Sequence, residues 1–362
     1  MPISCFSARC RITLSRALPV IAFLALVPAV KGPVVELSAP VPAPVPLSQI
    51  LHEAQVAAEK LPRLHSLLVD INSELVLEKY FRKYAKGAAN IKSASKSVIS
   101  ALIGIAVSRG DIPSVDAPIA TYFPKYPGPS ADALKRKITV EDLLTMRSGL
   151  QPASGRNFGN WIASGNWVRD ALRRPQLRPP GTRMDYSTAN THLLSAILTQ
   201  SSGETTWGFA RKHLARPLGF SLAKWPRDPQ GIYRGGNDME LTPRQMLQFG
   251  RLYLNRGVID GKRVLSEEWV EQTFVPRGRS RHSGQLYGYG WWIRESSGHD
   301  VFFAWGYGGQ YVFVVPDANL LLVTTSSPYP GKGRREHNRA VHDIVDQLLL
   351  NLGSARAFSG FP

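Results

Sequence analysis

Ser93 and Lys96 stand three residues apart in the run Ser93-Ala94-Ser95-Lys96, which opens an apolar stretch of helical period: Val98, Ile99, Leu102, Ile103, Ile105 and Ala106. On a helix that spacing puts both side chains on one face. A serine hydroxyl becomes a competent nucleophile only when a neighbouring base takes its proton. A lysine serves as that base once burial disfavours its ammonium form. The free N–H groups of a helix start can receive the negative charge that develops on a reacting carbonyl oxygen. Four residues thus hold a nucleophile, its base and half of an oxyanion hole.

The pattern is not specific by itself, because chance supplies roughly one Ser-x-x-Lys in a chain of this composition. A second copy, Ser221-Leu222-Ala223-Lys224, follows the turn-like Arg216-Pro217-Leu218-Gly219 and is cut off by Trp225-Pro226. It reads as structural.

The elements around Ser93 follow from periodicity and punctuation. Residues 47–60 form an amphipathic helix, and the β-type runs 67–71 and 75–81 flank the polar Asn72-Ser73-Glu74 as a hairpin. The Ser93 helix stops at Arg109-Gly110, and a second helix is expected from Thr139, with Glu141 and Asp142 in its first turn, to Ser148-Gly149. Residues 150–182, rich in Gly, Pro, Trp and Arg, read as irregular chain over a cleft. Residues 191–201 read as helical. Thr242-Pro243-Arg244-Gln245 caps a helix to about Asn255, and Ser266 opens another. From there the pattern turns to strands at 289–294, 301–304, 310–315 and 320–325, closed by a helix over 335–350. Strands, then helices, then consecutive antiparallel strands argue for an α+β fold: an antiparallel sheet flanked by helices, with an inserted mainly helical domain.

At 362 residues, 43% of them hydrophobic, the chain can bury a sizeable core. Arg9, Arg11 and Arg16 precede an apolar stretch from Ala17 to Val30, and Val27-Pro28-Ala29 offers small residues for cleavage. Residues 1–29 are therefore expected to be a signal peptide of an exported, periplasmic or secreted protein, with an uncleaved membrane anchor as the alternative. Residues 30–46 read as a proline-rich linker, 47–115 with 285–362 as a discontinuous sheet domain, and 116–284 as the helical domain. The two cysteines, Cys5 and Cys10, lie in the leader, so the mature chain needs no disulfide. The formal charge is +17, or +14 without the leader. Its basic residues are scattered and not interleaved with aromatics, which argues against nucleic acid and leaves a weak attraction to anionic envelope surfaces. Nothing in the sequence sets an oligomeric state.

Other chemistries lack support. No Gly-x-Ser-x-Gly elbow, His-Glu-x-x-His or other close metal pair, or cofactor fingerprint occurs. His192 and His299 leave a Ser-His-Asp arrangement open without arguing for it.

The chain resembles the serine β-lactamase and penicillin-binding-protein superfamily, in the class C β-lactamase-like branch that includes esterases and 6-aminohexanoate-dimer hydrolases. The resemblance covers about residues 60–350. It is carried by Ser93-x-x-Lys96-Ser97, the run from Ile138 to Leu150, Pro180-Gly181-Thr182-Arg183-Met184-Asp185-Tyr186-Ser187, the segment from Gly257 to Ser266, and the stretch from Trp305 to Val315. It implies a β-lactamase/transpeptidase-like fold, Ser93 as nucleophile, Lys96 as its lysine and Tyr186 as the tyrosine that shuttles a proton. Tyr307-Gly308-Gly309 falls where the family has a strand with Lys- or His-x-Gly, which makes the backbone N–H groups of Ser93 and Gln310 the expected oxyanion hole. Tyr307, Gly308, Gly309, Thr188 and Trp305 would line the substrate.

Two departures stand out. Thr188 replaces the asparagine of the Tyr-x-Asn element, and Tyr307 replaces a cation that helps hold a substrate carboxylate. Both leave the acyl-serine machinery in place and point away from β-lactams, toward esters or amides as small-molecule substrates. A β-lactamase or D,D-peptidase, and a non-catalytic envelope-binding relative, are the alternatives.

Overall fold

A computed structural model describes residues 45–83, 85–125 and 133–359. The expected signal peptide and nearly all of the expected linker lie outside the described residues. In chain order the elements begin with helix α1 (Leu47–Glu59), the hairpin β1 (Leu64–Ile71) and β2 (Glu74–Tyr80), the short strand β3 (Ala89–Asn90) and α2 (Ser95–Ser108). Helices α3 (Val140–Leu144), α4 (Phe158–Ile162), α5 (Trp167–Arg173), α6 (Thr188–Ser202) and α7 (Thr206–Ala210) follow. Next come β4 (Glu240–Leu241), α8 (Pro243–Leu254), the hairpin β5 (Val258–Ile259) and β6 (Lys262–Arg263), and α9 (Glu267–Phe274). The chain ends with β7 (Gly278–Arg279), β8 (Leu286–Tyr287), β9 (Trp292–Ser296), β10 (His299–Gly306), β11 (Gln310–Val315), β12 (Leu320–Ser326) and α10 (Arg334–Ser359).

Eight strands form one antiparallel sheet in the order β2-β1-β12-β11-β10-β9-β8-β7. This is the α+β arrangement expected from the sequence. The central strands are buried on both faces, which explains why they read as continuous apolar runs. Their alternation still sorts the two sides. Tyr311, Phe313, Val315, Leu320 and Leu322 pack with Ile50, Ala54 and Ala58 of α1 and Val341, Ile344 and Val345 of α10. Val312, Val314, Leu321 and Val323 face the opposite way, into the core shared with α2, α6 and α8.

Two expected elements differ. The helix from Thr139 has its capping box, with Thr139 and Asp142 exchanging hydrogen bonds, but ends at Leu144 instead of Ser148. Met146 takes a positive φ of 60°, so the chain turns there, and the Met146 carbonyl receives the Asp185 N–H at 2.9 Å. The region 150–182 is less irregular than its composition suggests, because Trp161 and Trp167 anchor α4 and α5 in the core. Their indole N–H groups donate to the carbonyls of Trp167 and Ile162, both at 3.0 Å.

His342 on α10 is enclosed by the rings of Phe303, Tyr311 and Phe313, at 5.1–5.2 Å between centroids. Burial, reinforced by the Arg294 charge and opposed by Asp346, pushes its pKa down to about 4. Between pH 6.5 and 4 the unfolded chain therefore binds a proton that the folded chain refuses, and stability falls as pH drops through that window. We expect His342→Phe to flatten the acid limb of Tm against pH, by up to about 3 kcal/mol at pH 4. An unchanged acid limb in calorimetric scans would contradict this account.

Candidate active site

The Ser93 turn is built by two segments far apart in sequence. β3 pairs with β4, Asn90 opposite Glu240, and the Ile91 N–H continues the contact to the Met239 carbonyl at 2.9 Å. The chain then reverses at Lys92, whose φ is +51° and whose N–H is caught by Asn90 Oδ1 at 2.9 Å. Ser93 lies in the 3₁₀ turn Lys92–Ala94, and α2 proper begins two residues later, at Ser95. With three residues per 3₁₀ turn, side chains at i and i+3 are brought nearly into line. Lys96 Nζ sits 3.0 Å from Ser93 Oγ and donates to the Gly236 carbonyl at 2.6 Å.

Lys96 is 1% exposed, whereas Ser93 keeps partial access to solvent. Removal from water lowers the lysine pKa to about 7, against the opposing field of Asp238. Gly236 makes this approach possible. A Cβ there would stand 2.6 Å from the Thr188 methyl, 2.7 Å from Thr191 Oγ1 and 3.2 Å from Lys96 Nζ. Asp238 holds the same loop down, accepting from Asn90 Nδ2 at 3.0 Å and Arg234 Nη1 at 2.7 Å. Sequence reasoning missed both residues; the pair Gly235-Gly236 just ahead of a helix cap was the available signal.

Tyr186 arrives from the loop before α6, fixed by the Gly181 N–H on the Arg147 carbonyl and the Asp185 N–H on the Met146 carbonyl, both at 2.9 Å. Its ring stacks on Trp292 at 5.7 Å, meets Tyr287 edge-on at 6.3 Å, and has Lys96 Nζ 5.1 Å from its centroid. Burial pushes its pKa up to about 12, and a hydrogen bond with Ser93 pulls the other way. Ser93, Lys96 and Tyr186 are thus brought together.

The remaining sequence candidates fall around them. Thr188 opens α6 with its N–H and hydroxyl both on Ser154 Oγ, at 2.9 and 3.0 Å. Asn190 is buried and accepts from Ser148 Oγ at 3.2 Å. Tyr307-Gly308-Gly309, expected as strand, is instead the turn joining β10 to β11, closed by the Gly309 N–H on the Gly306 carbonyl at 3.2 Å. Positive φ values of 95° and 111° at Gly308 and Gly309 are the reason, since L side chains rarely adopt them. Gln310 opens β11, and Gly306 lets the hairpin end close on Ile91, because a Cβ there would collide with the Ile91 carbonyl. Trp305 stands edge-on to Trp292 at 5.8 Å and parallel to Tyr311 at 6.3 Å.

Tyr307 is 38% exposed, and the Arg334 guanidinium lies over its ring at 4.4 Å. A cation of α10 therefore lies beside this turn. His192 pairs with Asp228 at 3.0 Å in a box made by Trp161 and Trp167, and His299 pairs with Asp317 at 2.8 Å. Among the described residues neither ring is hydrogen-bonded to a serine. In the second Ser-x-x-Lys copy Ser221 and Lys224 are exposed, with Leu222 buried between them and Lys224 over the Trp207 ring.

The eight-stranded antiparallel sheet flanked by helices is the α+β β-lactamase/transpeptidase fold. The family model described as Beta-lactamase matches residues 75–346, and the chain belongs to that family, within the β-lactamase/penicillin-binding-protein superfamily. It is 25% identical over 317 residues to the 6-aminohexanoate-dimer hydrolase of Paenarthrobacter ureafaciens, covering 80% of this chain and 78% of that one. Bacillus subtilis (strain 168) PbpX, named as a candidate penicillin-binding protein, is 26% identical over 227 residues, 57% of this chain; the match spans about half of PbpX, 54%. The fold is similar to that of a family VIII carboxylesterase, with a TM-score of 0.64 and 16% identity over 84% of this chain and 99% of that one. A penicillin-binding-protein homologue from Caulobacter crescentus gives 0.65 and 16% over the same shares.

Lys96 destabilises the fold that buries it, and the sign can be checked. Between pH 10.5 and 7 the unfolded chain carries a proton on this amine that the folded chain lacks, so stability falls as pH drops through that window and levels off below 7. Lys96→Met should therefore raise stability by a few kcal/mol at pH 6 and by much less at pH 10. Denaturant titrations at both pH values check this; equal gains at both would refute it.

Proposed function

We propose that the protein is a serine hydrolase that cleaves carboxylic esters or amides through an acyl-enzyme on Ser93. The observation that carries the reading is the 3.0 Å contact between Ser93 Oγ and a lysine whose pKa burial has lowered to about 7. As a neutral amine, Lys96 can donate to the Gly236 carbonyl and turn its lone pair to the serine proton. Ser93 Oγ attacks the substrate carbonyl, and the oxyanion is received by the N–H groups of Ser93 and Gln310. Tyr186, a phenol and not a phenolate at neutral pH, donates toward the leaving group and is reprotonated through Lys96. Water then releases the acyl group from Ser93.

The wall of Tyr186, Trp292 and Trp305 suits an uncharged acyl or leaving group. The relative of similar length is named for hydrolysis of an amide-linked dimer, which fits the same bond class. A β-lactamase or D,D-peptidase is the second reading, favoured by Arg334 over Tyr307, since a fixed guanidinium can meet a substrate carboxylate. A panel of p-nitrophenyl butyrate, anilides and nitrocefin on wild type and Ser93→Ala separates these readings. Labelling of Ser93 by a fluorophosphonate separates both from a non-catalytic relative.

We expect Ser93→Ala to lose ester turnover by about a thousand-fold or more. kcat/KM should rise with pH around a midpoint of about 7, the range in which Lys96 loses its proton. Asp238 favours the ammonium, so Asp238→Asn should move that midpoint down. Full activity of Ser93→Ala, or a midpoint indifferent to Asp238→Asn, would defeat the assignment.

We also propose export, on the strength of the basic and apolar leader. Expression of the full chain should give a mature N-terminus near residue 30 outside the cytoplasm, and an intact Met1 in the cytoplasmic fraction would refute it.

A further inference from the structure

We propose that Ser326, Thr324 and His337 are positioning residues for the oxyanion hole, holding and polarising the Gly309–Gln310 peptide from its carbonyl side. The inference rests on the reading of the Gln310 N–H as an oxyanion donor. A trans peptide is planar, so its C=O and N–H point in opposite directions, and whatever fixes one aims the other. The Gly309 carbonyl accepts two hydroxyl hydrogen bonds, from Thr324 Oγ1 and Ser326 Oγ, both at 3.0 Å. The Gln310 side chain clamps the same peptide from its other flank. Its Nε2 donates to the Ser326 carbonyl at 2.6 Å, and its Oε1 accepts the Ser326 N–H at 3.1 Å. Every one of these groups is buried.

The chain of donors extends one step further, to α10. His337 Nε2 lies 2.9 Å from Ser326 Oγ. Ser326 has already committed its proton to Gly309, so it accepts from the imidazole, and the Nε2–H tautomer follows. Among the described residues the buried Nδ1 has no hydrogen-bond partner. Burial, with Arg63 and His65 adding to it, keeps the ring neutral down to about pH 4.

The result is a relay from His337 N–H to Ser326 O–H to the Gly309 carbonyl, ending at the Gln310 N–H. Hydrogen bonds in such a chain polarise one another. A donor at its end is stronger, and already oriented, at the place where charge develops. The relay also accounts for glycine at 309, where a Cβ would stand 2.8 Å from both His337 Nε2 and Ser326 Oγ.

A merely structural clamp would move stability and leave the reacting carbonyl alone, so the acyl-enzyme itself is the readout. Acyl-enzyme formed from carbonyl-labelled p-nitrophenyl butyrate is followed by rapid-mixing difference infrared spectroscopy. We expect the near-isosteric Thr324→Val and Ser326→Ala each to shift the acyl C=O stretch upward. Each should lower kcat roughly ten-fold with KM little changed, less than the loss of a direct donor. His337→Leu should act in the same direction, and His337→Gln, which keeps an N–H donor, should restore part of the loss. If Thr324→Val and Ser326→Ala fold with wild-type kcat and an unmoved acyl C=O stretch, the proposal is overturned. Replacing Gln310 by its α-hydroxy acid, which exchanges the N–H for an ester oxygen and also weakens the Gly309 carbonyl as an acceptor, locates such a failure when read beside the β12 variants. An unaffected enzyme there would bring down the oxyanion reading and this proposal together. A crippled one, beside wild-type behaviour in the β12 variants, would bring down this proposal alone.

Discussion

The arrangement depends on keeping one amine dry. Lys96 is held without water next to Ser93, and the Gly236 carbonyl replaces part of what water would have supplied. That acceptor has to be brought 140 residues along the chain and pressed against α2 and α6. The loop that carries it is correspondingly over-determined. Asp228 Oδ1 caps the N–H groups of Gln230 and Ile232 at 2.8 and 2.9 Å, while Oδ2 meets His192. Ser195 Oγ donates to the Tyr233 carbonyl at 2.7 Å, and Arg234 pairs with Asp238. The buried His192–Asp228 pair is therefore explained by anchoring, since it fixes the start of the segment whose end meets Lys96.

The sheet contributes rigidity at the opposite side of the site. β10 and β11 are buried on both faces, and their hairpin end abuts the Ile91 carbonyl, two residues before Ser93. Ser93 is thus held between a hairpin whose end cannot recede and a short strand, β3, that is tied to β4 just before the Ser93 turn. Positioning on rigid elements matters because an acyl transfer is sensitive to displacements well below the size of an atom. The pKa ordering belongs to the same design. Burial disfavours charge on both groups, so it lowers the lysine and raises the tyrosine, and an amine and a phenol can both be neutral at one pH, as the proposed base and acid require.

Much of this was legible in the sequence wherever the signal was local. The Ser93–Lys96 spacing, the capping residues Thr139 and Thr242 with their partners Asp142 and Gln245, and the short apolar strand runs from β9 onward each state their own geometry over a few residues. What escaped was set by contacts between distant segments. Nothing near Met146 announces a left-handed residue, because the turn there is fixed by the Tyr186 loop docking onto it. Gly236 is one of 31 glycines, and only the proximity of Thr188, Thr191 and Lys96 makes it obligatory. Nothing in the sequence around His337 points to Ser326, eleven residues away, which its ring meets at 2.9 Å.

Position 307 shows how a substitution read in isolation misstates the electrostatics of a site. A tyrosine in place of a cation looks like a lost charge, and on that basis the rim would be neutral. The aromatic face, however, is itself an attractive surface for a cation, and Arg334 occupies it at 4.4 Å. Among the described residues Arg334 forms no ion pair with a carboxylate, so its charge is not cancelled locally. The exchange is one of geometry more than of charge. An ammonium at position 307 would be a compact point donor on a flexible stem, whereas the Arg334 guanidinium over the ring is a planar fork of N–H donors. A planar fork of that kind matches a planar, bidentate acceptor better than a single oxygen, so the difference between the two residue types is one of directionality and not of net charge.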